Sequence, residues 1–276
     1  MIPAPFAYER ATSVEHATEL LTGDPEAKVL AGGQSLLPLM RLRFARPSLL
    51  VDIGRIPDLA YIREEGDEVA IGALTRHHDL ATSEVLQAAC PIVAYAASDI
   101  GDPQIRHMGT IGGSCAHGDP ASDLPTVLLA LDASLVVRGP GGSSRTVPAS
   151  AFFRGLFEPD LGGNEILTEI RVPRTGSRGW SYLKFHRRAM DWALVGVAAL
   201  APNGGGAAVA LTNMSDRPIR AMGVEEALAD GADPAAAAER AAEGTSPPSD
   251  HFASAEYRQE LVKVIARRAL EEALAR

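Results

Sequence analysis

Two glycine pairs far apart in the chain, Gly32-Gly33 and Gly112-Gly113, constrain its fold more than any other feature. Each stands in the same setting. Ala31-Gly32-Gly33-Gln34-Ser35-Leu36-Leu37-Pro38 and Thr110-Ile111-Gly112-Gly113-Ser114-Cys115 both run from a small residue or Thr through the pair to a hydroxyl side chain and then an apolar run. Glycine has no Cβ, so such a stretch can take positive φ and come close to a ligand. Successive N–H groups of a turn can line one concavity and hold phosphate oxygens. Two such loops suggest one long ligand with a diphosphate at its middle, and added bulk at Gly113 is expected to empty the site. Ordinary tight turns use the same residues, so the surrounding elements decide between the two readings.

Those elements favour a ligand at the first loop. Ser13 can cap a helix running to Leu21, with Val14, Ala17, Leu20 and Leu21 on one face. Lys28–Ala31 reads as a short strand, Leu36–Phe44 as a helix that ends before Pro47, and Leu49–Ile53 as a buried strand. The first glycine pair thus falls at a strand-to-helix turn. Further on, Tyr61–Arg63 and Glu68–Gly72 form a hairpin, and helical stretches start at Thr75 and Cys90. Pro125 is placed at the first position of a helix reaching Leu131. Ser134–Arg138 is a strand, and Glu165–Val172 alternates as a half-exposed strand ended by Pro173. Arg174–Gly179 is the candidate domain junction. Beyond it, Tyr182–Phe185, Ala193–Leu200 and Ala207–Leu211 read as strands of an antiparallel sheet, with a hairpin turn at Asn203-Gly204-Gly205-Gly206. Helical runs at Val224–Leu228 and Ala235–Ala242 precede a long amphipathic helix over Ser254–Ala275.

Composition removes several function classes. Net charge is −9, which disfavours nucleic acid and acidic membrane surfaces as partners. In an acidic chain a diphosphate has to be held by local backbone dipoles. The only cysteines, Cys90 and Cys115, form no C-x-x-C pair, so this chain alone builds neither a zinc ribbon nor an iron–sulfur cluster, and the count suits a reducing, cytoplasmic setting. G-x-G-x-x-G and G-K-[ST] are both absent, which excludes a Rossmann fingerprint and a P-loop. No run of ~20 apolar residues offers a membrane span.

Taken with Asp102-Pro103-Gln104-Ile105-Arg106, Met108-Gly109, Gly118-Asp119-Pro120-Ala121-Ser122-Asp123-Leu124-Pro125 and the strand Glu165-Ile166-Leu167 ending Arg171-Val172-Pro173, the two loops carry a resemblance. The chain resembles the FAD-binding medium subunit of the molybdenum hydroxylases, in the carbon monoxide dehydrogenase and xanthine dehydrogenase group. The resemblance implies an α+β fold: a two-subdomain FAD-binding module of the vanillyl-alcohol-oxidase/PCMH type, then a small C-terminal domain with a three-stranded antiparallel sheet. Residues 1–175 would form the FAD-binding domain, with subdomains of about 1–55 and 56–175, and residues 176–276 the C-terminal domain. It also implies FAD as the cofactor. A molybdenum-containing large subunit and a 2Fe-2S small subunit would be partners, with the molybdenum–pterin cofactor and the clusters held there, in a dimer of heterotrimers.

Carried over position by position, the resemblance makes Leu30, Ala31, Gly32, Gly33, Gln34, Ser35, Leu36 and Leu37 the first diphosphate loop. Thr110, Ile111, Gly112, Gly113 and Ser114 become the second. Asp123 would bond polar groups of the cofactor, Leu167 and Lys184 would touch its flavin end, and Ile100 and Trp192 would lie at the ring. Many relatives have Asn where this chain has Ser114, which would cost a side-chain amide contact. No catalytic nucleophile–base pair and no metal ligand set is implied. His77-His78-Asp79 reads as polarity at a helix start, Cys115 as a small loop residue, and Arg187-Arg188 as a solvated pair.

Two other classes stay open on residues alone. A metal-dependent hydrolase would use His107, His117, Asp119 and Asp123, and a nucleotide-binding scaffold would use the same loops without redox chemistry.

Overall fold

The computed structural model describes residues 2–202 and 206–276. The first unit is a three-stranded parallel sheet in the order β1 (Ala7–Arg10), β3 (Leu49–Asp52), β2 (Lys28–Leu30), connected through α1 (Val14–Gly23) and α2 (Leu36–Arg41). Ser13 caps α1 as its sequence suggests, accepting from the His16 amide at 3.1 Å. Val14, Ala17 and Leu21 then face Val51, Ile53 and Ile56 in a small core. Strand β1 is a finding beyond the sequence reading, because all four of its residues are exposed and show no apolar alternation. Helix α2 is shorter than expected. It ends at Arg41, and Arg43 takes a left-handed φ of 62° before Pro47 is reached.

The second unit is a five-stranded antiparallel sheet in the order β4 (Ile62–Glu65), β5 (Glu68–Gly72), β10 (Ile166–Pro173), β6 (Ser134–Arg138), β7 (Ser144–Pro148). Six helices leave and re-enter between β5 and β6: α3 (His77–Thr82), α4 (Glu84–Ala89), α5 (Pro91–Ser98), α6 (Pro103–Met108), α7 (Ile111–His117) and α8 (Asp123–Ala130). They build the main core on one face of the sheet, around Leu80, Leu86, Ile92, Ile111, Leu124 and Leu128. A short helix α9 (Ala149–Phe152) and a two-stranded hairpin, β8 (Phe153–Gly155) with β9 (Glu158–Pro159), close one edge.

Two expectations are corrected here. Strand β10 is central and mostly buried, not half-exposed, and even its Thr168 and Glu169 are covered. Its Thr168 donates to the Val136 carbonyl at 3.2 Å, and Glu169 is held by Arg171 at 2.6 Å and by the Tyr61 hydroxyl. Helix α8 begins at Asp123, so Pro125 stands at its third position. The fit is still good, because every amide of a first helical turn lacks an intrahelical acceptor.

The C-terminal unit is a four-stranded antiparallel sheet in the order β11 (Trp180–Phe185), β12 (Val195–Leu200), β13 (Ala208–Thr212), β14 (Ile219–Arg220). The expected three strands are present, and the two-residue β14 is added. It is too short to leave an alternating signature. The glycine-rich turn drawn at 203–206 falls, for Asn203, Gly204 and Gly205, outside the described residues. One face of the sheet packs on α10 (Met222–Ala229), α11 (Pro234–Ala238) and the long α12 (Ala255–Ala275) through Val197, Leu211, Val262, Ala266 and Leu270. The other face contributes Tyr182, Ala198, Leu200 and Ala210 to the core of the preceding unit. Strands β12 and β13 are therefore buried throughout, which explains why Val195-Gly196-Val197-Ala198-Ala199-Leu200 is apolar without alternation. A buried hydrogen bond from Thr212 to Thr126, 2.8 Å long, pins β13 to α8. Among the described residues no helix is long and apolar enough to cross a membrane.

Candidate functional site

The chain leaves β2 at Leu30, whose carbonyl is held by the Ile53 amide at 3.0 Å, and turns through the first glycine pair into α2. The two glycines are needed for different reasons. Gly33 has φ of 72°, a conformation L side chains rarely adopt. At Gly32, a Cβ would overlap the Met108 carbonyl oxygen and come within 2.9 Å of the Gly109 Cα. The first loop is thus seated directly on the backbone that leads into the second. Around the turn, the amides of Gly32, Gly33, Gln34 and Ser35 have no acceptor among the described residues. Such a run of unmatched, partly covered N–H groups is what an anion such as a diphosphate requires.

The second loop is built differently from the expected turn. Ile111–His117 is a helix, Thr110 is its N-cap, and neither Gly112 nor Gly113 has positive φ. The amides that were expected to reach a ligand are engaged inside the protein. Ile111 donates to the Thr75 carbonyl at 3.1 Å, Gly112 to Ala73 at 2.9 Å, and Gly113 to the Thr110 hydroxyl at 3.1 Å. The pair is glycine for packing: a Cβ on Gly112 would lie 2.5 Å from the Ala73 Cβ, whereas one on Gly113 would meet only the Thr110 hydroxyl at 2.7 Å. Within the two pairs, packing therefore leaves least room for a Cβ at Gly32 and Gly112 and more at Gly113.

Beneath this loop lies His77, which sequence reasoning passed over as helix-start polarity. It does start α3, but it is also buried. Its amide donates to the Gly109 carbonyl at 3.1 Å, its Nε2 is 3.3 Å from Ser114 Oγ, and its buried Nδ1 has no partner among the described residues. A Cβ on Gly109 would strike the His77 ring at 2.7 Å. Ser114 therefore bonds inward to a histidine in this chain.

Of the other expected positions, Lys184 and Asp123 meet beside Asp99 and Ile100, just before α6, and no hydrogen bond or ion pair joins Leu167 or Trp192 to them among the described residues. Lys184 is not the solvated strand-edge lysine its sequence context allows, since its side chain is only 2% exposed. Its ammonium donates to the Asp99 carbonyl at 2.8 Å and lies 3.2 Å from the Asp123 carboxylate. Asp123 also accepts from the Tyr182 hydroxyl at 2.5 Å. Burial pushes the Asp123 carboxyl up while Lys184 pulls it back down, and burial with the neighbouring carboxylate drives the Tyr182 phenol well up. Asp123 thus braces β11 and does not act as the helix cap, a position that falls to Ser122. Ile100 is half-buried beside this cluster, Trp192 is 58% exposed on the β11–β12 connection, and Leu167 is buried in the main core on β10. Tyr182 was legible: two residues before Lys184 on one strand, it must share a face with it.

One continuous stretch, residues 99–123, carries both ends of the site. Helix α6, six residues and about 9 Å long at the usual rise, lies between Ile100 and Gly109 in the chain. The hydrolase residues are not brought together. His107 stacks on His78 with centroids 4.1 Å apart, His117 on Phe157 at 5.0 Å, and Asp119 accepts from the Ala121 amide at 2.9 Å. Among the described residues no group of three His, Cys, Asp or Glu side chains is placed to hold a metal. Burial pushes the Cys115 thiol up to about 12, far from a reactive thiolate.

The buried His77 yields a pH prediction. Burial, then Arg76 and Arg106, pulls its pKa down from 6.5 to about 4. The unfolded chain therefore takes up a proton that the folded one refuses. The contribution of His77 is complete above about pH 6.5 and is lost as pH falls toward about 4; it is on the order of 3 kcal/mol. In urea denaturation across that window, His77→Gln should flatten the acid-side loss of stability, and an unchanged slope would contradict the assignment.

Comparison with known proteins agrees with this geometry. Residues 4–175 match the family described as FAD binding domain in molybdopterin dehydrogenase, and residues 180–273 match the CO dehydrogenase flavoprotein C-terminal domain. The chain is 43% identical to the carbon monoxide dehydrogenase medium chain of Hydrogenophaga pseudoflava, over 100% of this chain and 99% of that one. It is 39% identical to the glyceraldehyde dehydrogenase medium chain of Sulfolobus acidocaldarius, with 99% of each chain covered. A solved structure of carbon monoxide dehydrogenase from Hydrogenophaga pseudoflava superposes with a TM-score of 0.95 at 44% identity, covering 100% of this chain and 99% of that chain. The glycine-seated turn with its unmatched amides fits a dinucleotide's diphosphate, and the chain belongs to the FAD-binding medium subunits of the molybdenum hydroxylases, oxidoreductase subunits that carry FAD.

Proposed function

We propose that this chain is the electron-transfer subunit of a multi-subunit molybdenum hydroxylase, accepting electrons from an iron–sulfur subunit and passing them to an external acceptor. The observation that carries the reading is the turn at Gly32–Ser35, which has four amides unmatched among the described residues and is seated at Gly32 against Met108–Gly109. A molybdenum-containing large subunit and a 2Fe-2S small subunit complete the assembly, as a dimer of heterotrimers in the cytoplasm. The substrate is set by the large subunit: one relative is named for carbon monoxide and another for glyceraldehyde, at 43% and 39% identity to this chain.

Within this reading, residues 1–175 form the FAD-binding domain and residues 176–276 the domain that closes it. FAD supplies the redox chemistry, and the protein supplies place and electrostatics. Residues Leu30 to Leu37 hold the diphosphate through main-chain amides. Thr110 to Ser114 act mainly as the floor on which that loop rests. Ile100, Asp123, Leu167, Lys184 and Trp192 define the flavin end. Lys184 keeps a positive charge in a covered site, and Asp123 and Asp99 hold it in place. Such a charge favours negative charge arriving nearby.

The test has two arms. Gly32→Val should lower FAD affinity by roughly tenfold or more through overpacking against Met108, with circular dichroism unchanged. Gly163→Ala, at a glycine whose Cβ would meet nothing within 4 Å, should bind as wild type. Flavin absorbance at about 450 nm gives the readout, and full retention in Gly32→Val would count against the loop. In the second arm, the tagged chain recovered from its native cell should bring down a molybdenum–pterin chain and a 2Fe-2S chain. Turnover of the complex's substrate by the isolated chain would overturn the subunit reading.

A further inference from the structure

Residues 186–194 connect β11 to β12 and carry Met190 and Trp192, both well exposed. The far stem of this connection is anchored at three points. Leu194 donates its amide to the Phe185 carbonyl at 2.8 Å. The Leu194 carbonyl accepts from the buried Arg258 of α12 at 2.5 Å, and Arg258 in turn pairs with Asp250 at 2.9 Å. The Ala193 carbonyl accepts from the side-chain amide of Asn213 at 2.7 Å.

Asn213 differs from the other anchors in reaching two units at once. Its main-chain amide donates to the Pro120 carbonyl at 2.8 Å, on the segment between α7 and α8 and three residues before Asp123. It does so with φ of 59°, a left-handed conformation that Asn tolerates better than most L residues. The residue is buried, so both bonds are shielded from water. No core packing fixes the exposed indole of Trp192, so its position depends on this stem.

We propose that Asn213 is a positioning residue: it ties the Trp192 connection to the segment that carries Asp123 and thereby sets where the indole stands at the flavin end. The inference rests on the proposed placement of Trp192 at that end, and the experiment separates the two. The chain has two tryptophans, so Trp180→Phe leaves Trp192 as the single emitter. In this background Asn213→Gly keeps the positive φ and deletes the side-chain donor. Asn213→Asp keeps the shape and replaces the donor with an acceptor facing a carbonyl.

Time-resolved anisotropy and acrylamide quenching of Trp192 are read on the FAD-free protein, and quenching by added FAD on the loaded one. Losing one of the three anchoring bonds should raise the acrylamide quenching constant about twofold and shorten the local rotational correlation time, with circular dichroism unchanged. Both variants should also lose much of the FAD-induced quenching. Wild-type anisotropy and quenching in Asn213→Gly would overturn the proposal, and that variant decides alone if Asn213→Asp does not fold. If FAD fails to quench Trp192 in the Trp180→Phe parent, the flavin-end placement is wrong, while the anisotropy still decides whether Asn213 holds the connection.

Discussion

The site depends on one close approach. Gly32 lies so near the Met108–Gly109 backbone that no side chain fits between them, and this contact brings loops from two separately sheeted units to one place. The rest of the local structure serves it. Gly109 makes room for the His77 ring and Gly112 for Ala73, so the floor beneath the contact is itself closely packed. Packed interiors tolerate little added volume, so a methyl at any of these positions moves the loop above it. An acidic chain with a net charge of −9 has no general field to attract a diphosphate; in the proposed function, unmatched amides held in fixed orientation take that role.

The second organising element is the sheet of the C-terminal unit, which is covered on both faces. Its inner face joins the core around α5 and α8, and through Tyr182, Lys184 and Thr212 it brings polar groups to Asp123, Asp99 and Thr126. These bonds cross the boundary between the two family regions. The polar cluster around Lys184 and Asp123 is therefore made by both units, and its geometry depends on how β11 and β13 sit against α8. An ion pair buried this deeply costs desolvation. Its retention is understandable if it holds Lys184 in a defined place.

Much of this was legible in the sequence. The glycine pair at a strand-to-helix turn, the cap at Ser13, the hairpin of β4 and β5 and the helix ending at Ala275 all follow from local rules that the fold obeys. The positions that misled did so because tertiary contacts override local pattern. Gly112-Gly113 reads as a turn, yet Thr110 caps a helix there and packing against Ala73 requires the glycine. Strand β10 alternates like a surface strand, but partners on β6 and the Tyr61–Glu169–Arg171 contacts bury its polar side. Nothing local to Lys184 announced its burial, because its partners, Asp99 and Asp123, are distant in sequence and adjacent only after β11 docks. Nothing local to β1 or β14 announced a strand, since one is wholly exposed and the other is two residues long.

Under the proposed function the two glycine loops have different jobs: the first presents its amides to the cofactor, whereas the second has already committed its own to the protein. Hydrogen–deuterium exchange resolved to single amides, with and without FAD, separates these jobs directly. Amides of Gly32, Gly33, Gln34 and Ser35 should exchange fast in the FAD-free chain and slow on loading, while those of Ile111, Gly112 and Gly113 should be slow in both. Protection that appears at 111–113 on loading, with none gained at 32–35, would contradict the account.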